Sequence, residues 1–203
     1  MSDLFTNHTS ATLLEAAQRE VALDPAIAPV WRGARVAGPA FTVQGVGGDN
    51  LALHNAVCKC PPGHVLVVDA GGQAFGHWGE ILAVAAMSRG IRGLVIDGAV
   101  RDSVEQENLG FPVFSRGLAI RGTGKSYPGV LGRPVRVGGV KVRTGDLVVG
   151  DADGVVSLPA EQVPEILERA DARIRKEEQV ISALRQGATT IDLYQFDPTG
   201  LGN

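Results

Sequence analysis

The sequence predicts an α/β fold: a central parallel sheet backed by an antiparallel β layer, with a long C-terminal helix. Three observations carry this. Between residues 64 and 115 the order is strand, helix, strand, helix, strand, the signature of parallel pairing. From about residue 133 the chain alternates apolar and polar residues, punctuated by Gly-Gly, Thr-Gly-Asp and Asp-Gly, as antiparallel hairpins do. From about 160 to 186 an apolar stripe recurs at helical spacing.

Each element has its local reason. Ser10 is placed to cap a helix over about 10–22. "LDPAIAPVW" is a loop, and "ARVAGPAFTVQGV" is extended chain broken at Gly38-Pro39. Asp49 opens a helix bearing Leu51, Leu53, Ala56 and Val57, which Pro61-Pro62-Gly63 ends. "HVLVVDA" and "GLVID" are nearly continuous apolar runs, as expected of strands covered on both faces. Between them a helix over 79–89 stops at Gly90. "RDSVEQENLG" forms a short helix ended by Gly110, and "FPVFSRG" is extended. In the long helix Val163, Ile166, Leu167, Ala170, Ile174, Ile181 and Leu184 make the stripe. Glu165 with Arg169, and Asp171 with Arg175, are i,i+4 pairs on its polar side. Without repeat, low-complexity tract or clear linker, the 203 residues read as one domain with its core at about 35–160.

Composition narrows the function. The net charge of −3 lacks the basic excess of a sequence-blind nucleic-acid binder. No apolar run approaches the ~18 residues of a membrane span. "MSDLFTNHTS" has no signal-peptide pattern, so a cytoplasmic protein is expected. Cys58 and Cys60 read as reduced thiols at a helix end.

"RGTGKS" (121–126) matches the close of a phosphate-binding P-loop, but the first glycine of that motif is replaced by Ala119. The "YPGVLGRP" that follows cannot form the helix whose amino end would hold phosphates. A surface turn and loop is the expectation, one still free to line a site.

Gly79, Glu80, Ile81 and Leu82 open a helix after a glycine-rich loop, and their amides with the helix dipole suit a carboxylate. Asp97 ends a strand, and the chain then turns into Arg101-Asp102, a planar cation beside a hard oxygen ligand. Helix capping and surface pairing explain the same residues equally well. In the long helix Glu177 or Glu178 falls where the apolar face points. His54, His64 and His77 are scattered without metal-ligand spacing, and His77 reads as a partly exposed loop residue. Asp151 and Asp153 read as turn residues.

"GDNLALHNAV", "PGHVLVVDAGG", "WGEILAVAAMSRGIRGLVIDGAVRD", "GFPVFSRG", "RGTGKSYPG" and "DADGVVSLP" together resemble the RraA-like family over about 35–195. That family includes the class II 4-hydroxy-4-methyl-2-oxoglutarate aldolases, which also decarboxylate oxaloacetate. The resemblance implies a three-layer β/β/α swivelling-domain-like fold, assembled as a homotrimer or dimer of trimers with sites between subunits. The aldolase branch carries an acid, twenty residues, then Arg-Asp; here these are Glu80 and Arg101-Asp102, with Glu where many members have Asp. The resemblance implies that Asp102 binds Mg²⁺ or Mn²⁺ and that Glu80 holds its water. It implies further that Arg101 contacts the 2-keto acid and its enolate, and that the amides of 79–82 seat the carboxylate. The resemblance implies as well that a neighbouring subunit's Glu177, with Glu178 in reserve, completes the water shell. The alternative is the branch of non-catalytic regulators that bind and inhibit a ribonuclease; they lack the Asp after the Arg, and Asp102 is present here.

Overall fold

A computed structural model describes residues 8–197 of the chain; the first seven residues, part of the segment read as lacking a signal peptide, lie outside them. Four strands form the parallel core: β2 (Val36–Gln44), β3 (Val65–Asp69), β4 (Gly93–Asp97) and β5 (Val113–Ser115). A two-residue strand, β1 (Ala28–Pro29), closes one edge antiparallel to β5. At the other edge β2 is shared. Its residues 40–44 run parallel to β3, while residues 36–39 run antiparallel to β9 (Leu147–Gly150), which pairs in turn with β10 (Val155–Leu158). β6 (Val130–Leu131) joins the end of β2, and β7 (Val135–Val137) with β8 (Val140–Val142) makes a separate hairpin.

The strand sequences explain the layering. In β3, Leu66 and Val68 face one way and Val65 and Val67 the other, and all four are fully buried. Leu66 and Val68, with Leu94 and Ile96, pack under Leu53, Ala56 and Val57 of α2 (Leu51–Lys59) and Leu82, Ala83 and Ala86 of α3 (Glu80–Ser88). Val65, Val67, Val95 and Phe114 pack against Val135, Val137 and Val142 of the hairpin and Val148 of β9. Helices, parallel sheet and β layer are the three layers the sequence predicts. A third cluster joins α1 (Ser10–Ala17), through Leu13, Ala16 and Ala17, to β9, β10 and α5 (Val163–Arg185), through Ile166 and Ala170. Each large apolar side chain buried in these layers stabilises the fold by about 1.5–3 kcal/mol.

Several boundaries differ from expectation. α1 ends at Ala17 rather than near 22, because Gln18 takes the left-handed conformation that closes the helix. Its cap is Thr9, whose hydroxyl accepts from the Thr12 amide. Ser10 instead donates both its hydroxyl (2.6 Å) and its amide (2.7 Å) to Asp151, so Asp151 tethers α1 as well as shaping a turn. A 3₁₀ turn (Ala160–Gln162) precedes α5. The Glu165–Arg169 pair forms at 2.7 Å, but Asp171 meets His8 (2.8 Å) in place of Arg175. β1, β6 and a short helix, α6 (Thr190–Tyr194), were not expected. Among the described residues no helix is long and apolar enough to cross a membrane.

Candidate active site

β3 and β4 run parallel and in register to their ends, Asp69 opposite Asp97, so the loops leaving them emerge together at the sheet's carboxyl edge. Backbone bonds knit the two loops: Ala99 donates to Gln73 (3.1 Å) and Arg101 to the Trp78 carbonyl (2.9 Å). Trp78 is fully buried and stacks on Phe111, which anchors the start of α3 in the core. Gly79 and Glu80 are thereby brought against Arg101 and Asp102.

Asp102 takes a left-handed backbone (φ 57°), costing a non-glycine residue about 1 kcal/mol, a kind of strain concentrated at functional sites. Buried Gln106, in α4 (Ser103–Leu109), holds it there. Its amide donates to the Asp102 carbonyl (3.0 Å) and its side chain to the Arg101 carbonyl. Asp102 Oδ2 accepts from the Glu80 amide at 3.0 Å and lies 3.5 Å from Arg101 Nε. Oδ1 has no hydrogen bond among the described residues. A Cβ on Gly79 would sit 2.2 Å from Oδ2, so only glycine admits this approach. The Glu80 amide is therefore spent on Asp102, which corrects the expectation that all four amides of 79–82 face a ligand. Those of Ile81 and Leu82, in the first turn where amides have no intrahelical acceptor, find none among the described residues.

These groups form one wall of a cleft of about 240 Å³. A second wall, built on other segments of the chain, is Asn50 and His54 with Gly122, Thr123 and Lys125 of the "RGTGKS" loop. That loop makes no phosphate cradle: no helix follows it, and it runs on to β6. Asp49 straps it down. Its carboxylate accepts from the Ser126 amide (2.6 Å), while Gly124 donates to Gly48 (2.8 Å) and Asn50 to Gly124 (3.1 Å). Burial pushes the Asp49 carboxyl up, but the amides of Ser126, Leu51 and Tyr127 and the Lys125 charge outweigh it and hold the group below its usual range. Burial, then Lys125, depresses His54. Asn50 is buried; its side-chain amide donates to the His77 carbonyl (3.1 Å), and its Oδ1 has no partner among the described residues.

His77 is fully buried, not partly exposed as expected, because it fills the floor between the two walls. Its Nε2 accepts from the Gly48 amide (3.1 Å), which leaves Nδ1 to donate to Ala99 (3.2 Å). Burial keeps the imidazole below its ordinary range, against the pull of the Ala99 and Phe75 carbonyls and the Asp49 charge. Asp97 is withdrawn from the cleft. It is ion-paired with Arg116, which also meets Asp24 (2.8 Å), and it accepts from the Gly138 amide (2.8 Å). His64 bonds the Pro62 carbonyl, away from the site.

The structure thus brings Gly79, Ile81, Leu82, Arg101 and Asp102 into the cleft lining; Glu80 takes part through its backbone amide, while its side chain is exposed and outside that lining. The structure does not bring Glu177 there: no residue of α5 lines the cleft, and Glu177 pairs with Arg173 (2.7 Å), which also meets Glu15. Glu178 is exposed on the same helix. Asn50, His77 and Gln106 are site-forming residues that no sequence pattern marked, while Thr123 and Lys125 belong to the "RGTGKS" loop, already read as free to line a site and as part of the family-like sequence. Among the described residues no three His, Cys, Asp or Glu side chains converge, so no protein cage for zinc exists. One carboxylate with an open oxygen at a cleft wall fits a hard cation that keeps most of its waters.

The sequence matches the family description "RraA-like: Aldolase/RraA" over residues 9–157. A protein of Halalkalibacterium halodurans named "Putative 4-hydroxy-4-methyl-2-oxoglutarate aldolase" is 38% identical over 173 residues, covering 85% of this chain and 82% of that one. The crystal structure of an uncharacterized protein from Pseudomonas syringae pv. tomato superposes with a TM-score of 0.82 at 33% identity, over 89% of this chain and 86% of that one. The RNA-processing inhibitor RraA from Thermus thermophilis superposes with a TM-score of 0.68 at 29% identity, over 75% of this chain and 93% of that one.

Proposed function

This chain belongs to the RraA-like family, and from that premise we propose that it is a divalent-metal-dependent carbon–carbon lyase. It would cleave 4-hydroxy-2-oxo acids of the 4-hydroxy-4-methyl-2-oxoglutarate type to pyruvate, and decarboxylate oxaloacetate. The observation that carries the reading is the convergence of Asp102, Arg101 and the open Ile81 and Leu82 amides on one wall of a cleft whose other wall bears Lys125.

Asp102 would hold Mg²⁺ or Mn²⁺, with Glu80 and a neighbouring copy's Glu177 reaching its water. When bound, the cation supplies Lewis-acid polarisation of the keto oxygen. The Ile81 and Leu82 amides, at the positive end of α3, donate to the carboxylate beside the keto carbon. Arg101 donates to the oxygen on which charge accumulates as the carbon–carbon bond breaks, and such a donor is worth roughly 10²–10³ in rate. Lys125 and Thr123 face the far end of the substrate, where a second carboxylate of a dicarboxylic acid would lie. Exposed Ile81, Val84, Met87, Val104, Leu118 and Ile120 fit a homotrimer or dimer of trimers in which other copies cover these side chains.

The test is pyruvate release from oxaloacetate and from a panel of 4-hydroxy-2-oxo acids. Release should require Mg²⁺ or Mn²⁺, stop with a chelator, and vanish in Asp102→Ala. The second reading, a non-catalytic regulator that binds a ribonuclease, draws on the likeness to the Thermus inhibitor. It predicts no metal-stimulated release from any acid on the panel, and inhibition of a ribonuclease that rises with protein concentration.

A further inference from the structure

We propose that His77 is a positioning residue: a neutral imidazole, protonated on Nδ1, that sets the spacing between the Arg101–Asp102 wall and the Asn50–Lys125 wall. The proposal rests on the reading of the cleft as the site of a two-ended keto acid, because only such a substrate needs both walls at a fixed separation.

The geometry points to this through what each end of the ring holds. Nε2 accepts from Gly48, and Gly48 carries the strap: its carbonyl accepts from Gly124, and its neighbour Asp49 accepts from Ser126. Thr123 and Lys125 are therefore tied to Gly48 at the far end of their segment, while Ala119 and Arg121 at its start are bonded to Val100 and Gly76. Nδ1 donates to Ala99, two residues before Arg101, whose own amide is bonded to the Trp78 carbonyl next to His77. The ring is closely confined: a Cβ on Gly98 would meet it at 3.4 Å, and Phe75 packs edge-on with ring centres 5.9 Å apart. A group filling this slot must accept on one side and donate on the other across the width of an imidazole. Phenylalanine does neither. The amide of glutamine offers an acceptor and a donor, but at the end of a flexible chain that does not fix them where the rigid ring does.

Three measurements test it. In protein labelled with ¹⁵N in its histidines, long-range imidazole spectra should show His77 neutral with the proton on Nδ1, and the Gly48 amide should exchange slowly. A proton on Nε2 would overturn the proposal. In His77→Phe and His77→Gln, the Gly48 amide should exchange faster. Their kcat/KM for a six-carbon 4-hydroxy diacid should fall by roughly 10–100-fold, the size of effect that misplaced supporting groups produce. The inhibition constant for pyruvate, which uses the Arg101–Asp102 wall alone, should stay within about threefold. Equal losses in both quantities, or no loss in folded variants, would sink the idea. Should the variants fail to fold, the wild-type spectra decide it. Should the wild type cleave nothing on the panel, the proposed reaction falls, while the tautomer and Gly48 exchange still judge the brace.

Discussion

Asp102 holds two positions at once, and two substitutions separate them. Its charge offers an open oxygen to a cation, and its Oδ2 caps the Glu80 amide. Asp102→Asn retains an acceptor for the amide but loses the charge, so metal-stimulated pyruvate release should vanish with little change in melting temperature. Asp102→Ala loses both and should also destabilise by about 1 kcal/mol, the ordinary worth of a helix cap, which thermal unfolding would show. His77 and His54 give the pH dependence. Both are held below the ordinary value of 6.5, so folding favours their neutral forms. That contribution is complete above about pH 6.5 and is lost as the pH falls through the folded values. Melting temperature followed from pH 8 to pH 5 should decline on the acid side, and the decline should be shallower in His77→Gln, with His54 supplying the remainder. That Arg101 and Asp102 lie together was legible because they are adjacent in sequence beyond a strand's carboxyl end, whereas their expected roles came from the family resemblance. The bond between Gly48 and His77 spans 29 residues, and that between Asp49 and Ser126 spans 77, so no local pattern announced them.

Among the elements, the 121–126 strap depends on one carboxylate. Asp49→Ala removes the acceptor of the Ser126 amide and leaves Gly124 held by its backbone bonds to Gly48 and Asn50 alone, so the strap should be cut more readily by trypsin at Arg121 and Lys125 under native conditions. KM for a diacid should rise more than kcat falls, since the loop supplies binding on one wall. The longer elements could be read in advance because physics marks them twice over. β3 and β4 are apolar on both faces, and α5 shows its stripe for six turns. β1 and β6 are two residues each, too short for any periodicity, and exist because a neighbouring strand offers them an edge. α1 fell short of expectation for a similar reason. Its sequence tolerates further helix, but bonding of Leu23 to Val155 and of Ser157 to Val21 draws the following residues onto β10 instead.

For the whole molecule, the exposed apolar residues beside the cleft argue for assembly. Ile120 is 93% exposed, and Ile81, which lines the cleft, is 77% exposed. Ile120→Glu combined with Ile81→Asp should shift the protein to monomer in sedimentation, with little loss of thermal stability in the isolated chain, and should lower activity if a neighbour's Glu177 completes the site. The layered architecture was readable because each layer has its own pattern, whereas assembly leaves only isolated apolar residues on an otherwise polar surface. One strand also ties the molecule's history to its form. β2 meets β3 soon after leaving the ribosome, but its first half must wait for residues 147–150 to be synthesised. Until then a nascent chain displays an unpaired β edge, the kind that recruits other chains. That edge stays bare for as long as it takes to translate the hundred or so residues between 39 and 147.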